Sequence, residues 1–131
     1  MTANLFFEAR SEGQKGMEAV AKVTMNRVKA KGYPPDVCSV VFQKKQFSWT
    51  HQQSWSTVWN VLNGDLRLYS ARDRATYHLA KRIAQKALDG VMVTSIPDDV
   101  LWYHTTKVKP SWSKRLKKLK TVGSHIFYKE K

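Results

Sequence analysis

Leu5-Phe6-Phe7-Glu8-Ala9-Arg10-Ser11-Glu12-Gly13-Gln14 is the stretch on which the reading of this chain turns. It holds two of the chain's four glutamates, and a third, Glu18, follows close behind, in a protein of 131 residues with a formal net charge of +13. Residues 2–10 read as a short helix ending near Ser11 and Gly13. A carboxylate directly after two phenylalanines is out of keeping with so basic a sequence. Its ionised form is disfavoured against apolar rings, so its pKa is expected to rise toward the range useful to a general acid. Glu8 is therefore the first candidate for chemistry.

Glu12 lies four residues further on. On a continuous helix the two carboxylates would share a face, about 6 Å apart along the axis. Glycoside hydrolysis commonly uses two carboxylates, but Ser11 and Gly13 interrupt the helix and Arg10 is placed to neutralise either acid. Glu12 thus carries two readings, a second catalytic carboxylate or a structural group in a buried salt bridge with Arg10 or Arg27.

Outward from this segment, residues 14–30 place Met17, Val20, Ala21, Met25 and Val28 at helical spacing, with Glu18 and Lys22 as an i,i+4 pair. Gly32-Tyr33-Pro34-Pro35-Asp36 is a stop and turn. Residues 37–43 read as a short buried helix and 44–50 as a loop. A helix is expected over residues 54–62, closed by Asn63-Gly64-Asp65. Trp55 and Trp59, at i,i+4 on it, are expected in the core. Ser70 with Asp73 resembles a capping box and opens a helix to about Leu88, ended by Gly90. Beyond Gly90, residues 91–96, 101–104 and 121–128 are rich in β-branched and aromatic side chains and read as short strands. The architecture is α+β, mainly α, in one domain over residues 1–131.

The balance of 23 Lys+Arg against 10 Asp+Glu implies an anionic partner or surface: nucleic acid, acidic headgroups or a cell-wall polymer. Lys107, Lys109, Lys114, Arg115, Lys117, Lys118 and Lys120, with Trp112 among them, would suit a phosphate backbone or form a solvated basic face. Cys38 is the single cysteine, which excludes an internal disulfide; in its apolar surroundings it reads as a small buried thiol. His51, His78, His104 and His125 follow no zinc pattern, and no metal or organic cofactor is called for. No apolar run reaches 18 residues, so no membrane span is expected. The start of the chain lacks a basic n-region followed by a long apolar stretch, so no conventional signal peptide is read there.

Taken in order, the motifs resemble the SleB/CwlJ family of cell-wall hydrolases, named for spore-cortex-lytic enzymes and also found among phage endolysins. The matching elements begin with Glu8-Ala9-Arg10-Ser11-Glu12-Gly13 and Ala19-Val20-Ala21, then Asn26-Arg27-Val28 and Tyr33-Pro34. Val37-Cys38-Ser39-Val40-Val41-Phe42-Gln43 and Gln46-Phe47-Ser48-Trp49 follow. Late in the chain come Trp102-Tyr103-His104, Pro110-Ser111-Trp112 and Val122-Gly123-Ser124-His125-Ile126-Phe127-Tyr128. Two positions depart from the family pattern: Ser11 stands where Gly is usual and Val122 where Ile is common.

The resemblance implies a lysozyme-like fold related to lytic transglycosylases. It implies cleavage of the β-1,4 bond between N-acetylmuramic acid and N-acetylglucosamine in peptidoglycan. The catalytic glutamate of the family maps onto Glu8. Asn26, Gln46, Phe47, Trp49, Tyr103, His104 and His125 map onto recurrent motif positions and are assigned to the substrate groove or its support. A lytic transglycosylase producing 1,6-anhydro ends is the favoured reaction, and a hydrolytic muramidase of the same fold is the alternative. The rival from another class is a small nucleic-acid-binding module. A basic enzyme read without a signal peptide or a wall-binding module suggests a monomeric phage endolysin. It would be held in the host cytoplasm until release and then act in the periplasm and cell wall on glycan strands, with anionic envelope polymers attracted by charge.

Overall fold

The computed structural model describes residues 1–41 and 53–131. The loop expected over residues 44–50, and with it Gln46, Phe47 and Trp49, lies outside the described residues, as do Phe42, Gln43 and His51.

Helix α1 (Thr2–Ala9) and helix α2 (Gly13–Lys29) meet at the break expected near Ser11, where the Glu12 amide donates to the Ala9 carbonyl at 3.0 Å. Further along come α3 (Val37–Val41), α4 (Trp55–Leu62) and α5 (Ala71–Leu88). Helix α2 is central because its apolar residues point two ways. Met17, Val20 and Ala21 join Leu5 and Ala9 of α1 and Ala80, Ile83, Ala84 and Ala87 of α5 in one buried cluster. Ala19 and Val23 turn to the opposite side, against Ile96, Val100 and Phe127. The fully buried Phe6 ring fills a third cluster with Val41, Val58 and Val61 and meets Tyr69 and Tyr77 edge-on. Burying such a ring contributes about 1.5–3 kcal/mol.

Local signals set the helix ends. Ser54 Oγ accepts from the Thr57 amide at 3.3 Å and Ser70 Oγ from the Asp73 amide at 3.1 Å, so both serines act as N-caps. Helix α5 closes in a Schellman arrangement, with the Gly90 amide on the Ala87 carbonyl at 3.2 Å and the Val91 amide on the Lys86 carbonyl at 3.0 Å.

The chain ends in an antiparallel sheet of β1 (Val100–Thr105), β2 (Lys117–Val122) and β3 (His125–Lys129), in the order β1-β3-β2. Tyr103 pairs with Phe127 and Thr105 with His125, while Val122 pairs with His125 across the Gly123-Ser124 turn. Side chains alternate across a strand, so Tyr103, His125 and Phe127 face α2, and His104 lies on the other face with Tyr128.

Several expectations are corrected. Residues 91–96 form no strand: Val91 and Val93 are exposed, while Met92 packs on the helical core cluster and Ile96 is buried with Val100 and Phe127. Residues 121–128 are two strands and a turn, not one run. Trp55 and Trp59 are 70% and 55% exposed and pack on each other, because the inward stripe of α4 is Val58 and Val61. Cys38 is exposed, since α3 buries Val40 and Val41 instead. Lys22 pairs with Asp98 rather than with Glu18.

Candidate active site

Glu8 sits in the last turn of α1, two residues after the buried Phe6, which fixes the rotation of this short helix. The Tyr103 hydroxyl of β1 donates to Glu8 Oε2 at 3.0 Å. Glu8 Oε1 is buried with no hydrogen-bond partner among the described residues. Burial raises the Glu8 carboxyl from its ordinary 4.5 to about 7; the Tyr103 hydrogen bond and the positive charge of Arg27 oppose that rise without cancelling it. The carboxyl therefore exchanges its proton near neutrality. Burial and the neighbouring Glu8 charge push the Tyr103 phenol well above its ordinary value, so it stays protonated and remains a donor.

Arg27, read from the sequence only as a possible ion-pair partner of Glu12 and as part of a motif, is a buried cation beside Glu8. It is only 3% exposed, its Nε donates to the Leu101 carbonyl at 2.8 Å, and its guanidinium lies 5.5 Å from the Tyr33 ring centre. The signal for it was its place on α2, four residues after Val23 and seven after Val20 on a face that is otherwise apolar. Held there, it ties α2 to β1 and sets a fixed positive charge near Glu8.

Glu12 is differently engaged. Its Oε2 accepts from the Ser124 amide at 2.9 Å and its Oε1 from the Ser124 hydroxyl. His125 Nδ1 is 3.7 Å from Oε1. A Cβ at Gly123 or Gly16 would collide with the Glu12 side chain, so two glycines make the notch it occupies. The ion pair expected with Arg10 or Arg27 does not form. Arg10 lies over the Phe6 ring, 4.9 Å from its centre, and 3.9 Å from Asp73. Glu12 instead fastens the turn of the β2–β3 hairpin to the start of α2.

The remaining candidates divide. His125 is 1% exposed and packs edge-on against Tyr103 at 5.1 Å; burial lowers its pKa, which keeps the ring neutral. It therefore backs the residue that holds Glu8. Asn26 spends its amide on the Pro97 and Val100 carbonyls, both at 2.9 Å, and joins α2 to the entry of β1. His104 bonds the Thr105 carbonyl through Nδ1 at 2.6 Å and the Tyr128 hydroxyl through Nε2 at 2.8 Å, on the sheet face turned from Tyr103. The structure thus brings Glu8, Tyr103, Arg27, His125 and Glu12 together and leaves Asn26 and His104 outside the group.

A carboxyl with a pKa raised to about 7, bonded to a phenol in a mainly helical domain, has the chemistry to give and take a proton near neutrality. The profile of the Cell Wall Hydrolase family matches residues 11–128, and the chain belongs to this family. It is a peptidoglycan-degrading enzyme. The match begins just after Glu8, so membership does not itself speak to that residue. Two solved structures extend the likeness over 98% of the chain at 25% identity and a TM-score of 0.68. One is the catalytic domain of the germination-specific lytic transglycosylase SleB from Bacillus anthracis, 90% covered; the other is the catalytic domain of the Bacillus cereus SleB protein, 86% covered. The fold expected from the sequence is therefore the observed one. No curated protein matches the chain.

Proposed function

We propose that this enzyme cleaves the β-1,4 bond between N-acetylmuramic acid and N-acetylglucosamine as a lytic transglycosylase, with Glu8 acting first as acid and then as base. The observation that carries the reading is the placement of Glu8, half-buried, bonded to Tyr103 and raised to about 7. Protonated Glu8 donates to the glycosidic oxygen as the C1–O bond breaks. The substrate's own acetamido oxygen closes on C1 and carries the developing positive charge. The sugar's 6-hydroxyl then attacks C1 and displaces the acetamido oxygen, which returns to a neutral acetamide, while Glu8, now a carboxylate, removes the hydroxyl proton. The product is a 1,6-anhydromuramyl end, and no water is consumed. A group that must give and then take a proton works best with a pKa near the working pH.

The state of Glu12 supports transglycosylation over two-carboxylate hydrolysis. Both of its oxygens are engaged by Ser124, so it is not available to position a water. Tyr103 holds Glu8 through its hydroxyl, Arg27 biases its charge, His125 supports Tyr103, and Gln46, Phe47 and Trp49 stay proposed for the groove. The setting of a phage endolysin, stored in the host cytoplasm until release, rests on the sequence reading alone. Lysis on co-expression with a membrane pore, and none without it, is the expected result.

The test of the reaction is digestion of purified peptidoglycan by wild type and Glu8→Gln, with clearing on a zymogram and product masses. Wild type is expected to clear and to release ends one water lighter than reducing ends, and the variant to do neither. Equal clearing by the variant would remove Glu8 from the mechanism. Reducing ends from the wild type would make the enzyme a hydrolytic muramidase.

A further inference from the structure

The charge of this protein is concentrated on a part of the surface that the acid–base group does not use. Lys107, Lys109, Lys114, Arg115, Lys117 and Lys118 are all exposed, and among the described residues none forms an ion pair with a carboxylate. Three cations elsewhere are answered, Lys22 by Asp98, Arg67 by Asp65 and Lys129 by Asp99, whereas Arg72, Lys81, Arg82 and Lys86 on α5 form no ion pair among the described residues. Between Asp99 and Glu130 the sequence contains no acid. The ridge also has defined structure. The Ser113 hydroxyl donates to the Pro110 carbonyl at 2.7 Å, a 3-10 helix runs over Ser111–Arg115, and β2 follows along the free edge of the sheet.

Lysines on an edge strand discourage pairing with another sheet, which accounts for Lys117 and Lys118. It does not account for Lys107, Lys109 and Lys114, which lie off the strand. Six unanswered positive charges on one short segment repel one another, and an anionic partner relieves that repulsion.

We infer that this ridge docks a linear phosphate-bearing polymer of the cell wall, a polyol-phosphate chain of the teichoic-acid type joined to the peptidoglycan. Two observations favour it over nucleic acid. The chain is a cell-wall enzyme, so a polymer attached to its substrate is the polyanion it meets at work. The one aromatic residue in the ridge, Trp112, is half-buried and packs edge-on against His104 at 5.6 Å and Tyr128 at 5.5 Å. Single-stranded nucleic acid is held through bases stacked on aromatic faces, and this ridge offers charge without such a platform. With β3 between β1 and β2, the edge strand of the ridge lies about 10 Å across the sheet from the strand bearing Tyr103. A polymer on Lys117 and Lys118 therefore holds the enzyme at the wall from the far edge of the sheet. This inference goes beyond the reaction proposed above and does not depend on it.

The experiment measures binding by sedimentation with insoluble sacculi carrying the polyol-phosphate polymer, with the same sacculi stripped of it by acid, and with duplex DNA in solution. All proteins carry Glu8→Gln so that the sacculi stay intact. The ridge variant combines Lys109→Gln, Lys114→Gln, Lys117→Gln and Lys118→Gln. A control of equal charge combines Arg72→Gln, Lys81→Gln, Arg82→Gln and Lys86→Gln on α5. The ridge variant is expected to lose at least tenfold in affinity for polymer-bearing sacculi and less than twofold for stripped sacculi, while the control loses less than threefold for either. Equal losses in the two variants would show that net charge alone is at work and overturn the inference. A tenfold loss confined to DNA would make the ridge a nucleic-acid surface and also overturn it. If Glu8→Gln still clears in the zymogram, the Glu8 reading fails; binding is then read on the polyol-phosphate polymer released from the sacculi and immobilised, which the enzyme cannot digest, so the two failures stay apart.

Discussion

Glu8 and Glu12 stand on the two sides of one helix–helix turn, and their surroundings diverge within four residues. The α1 side offers Glu8 one donor, the Tyr103 hydroxyl, and leaves its second oxygen buried and unmet among the described residues. The α2 side offers Glu12 two donors from Ser124, in a notch between glycines. A carboxylate whose charge is fully answered is a fastening; one whose charge is answered in part keeps its proton to higher pH. The difference lies in what faces each group from the C-terminal sheet, not in the residue itself.

The sharpest way to break this contrast is to exchange the roles. Glu8→Gln keeps the shape of the side chain and removes its proton chemistry. Loss of a general acid costs roughly 10²–10⁴ in rate, so release of glycan fragments is expected to fall by that factor in a protein of unchanged fold. Glu12→Ala is expected to act on stability instead, costing about 1–3 kcal/mol through the orphaned Ser124 donors and the emptied notch. Denaturant unfolding would read that cost, with most of the turnover per folded molecule retained at low temperature. A full loss of turnover in folded Glu12→Ala would restore Glu12 as a second catalytic carboxylate.

Tyr103→Phe tests the donor that Glu8 has among the described residues. The Tyr103 hydrogen bond lowers the Glu8 pKa, so its removal raises it. The alkaline limb of kcat/KM, where Glu8 loses the proton it must donate, is expected to move to higher pH. The loss of rate at the optimum is about tenfold or less, as befits a single hydrogen bond.

The smallest effect concerns stability. Glu8 has a folded-state pKa of about 7 against an ordinary value of 4.5. Between those values the folded protein holds the proton more tightly than the unfolded chain. Its contribution is thus fully present below pH 4.5 and is lost as pH rises through 7. Glu8→Gln has no such loss. Its melting temperature is expected to exceed that of wild type by on the order of 10 °C above neutrality, and the gap should close toward pH 4.5. A gap independent of pH would mean that Glu8 titrates alike in both states.

Much of the helical part was legible because its signals are local. Ser70, the apolar stripe of α5 and Gly90 lie within one segment and need no distant partner to be read. The aromatic pair on α4 misled because Trp55 and Trp59 follow the spacing of a core stripe while Val58 and Val61 take the inward face. Strand β2 was hidden by its lysines, since an edge strand has one paired side and tolerates charge. Glu8 stands out by its two phenylalanine neighbours, whereas Tyr103 is reached only through the family resemblance and without its role as the donor to Glu8. Tyr103 is 95 residues away and Ser124 lies 112 residues from Glu12, so the difference between the two glutamates exists only once the sheet has folded against the helices. Arg27 was readable in principle as the charged member of a buried stripe.

The central claim is that the Glu8 carboxyl keeps its proton to near-neutral pH in the folded enzyme. A carbon-13 NMR titration of the side-chain carboxyls of uniformly glutamate-labelled protein, with Glu8→Gln to assign the resonance, measures this without substrate. The expected Glu8 midpoint is about 7. A midpoint near 4.5, the value of an ordinary solvated glutamate, would contradict it.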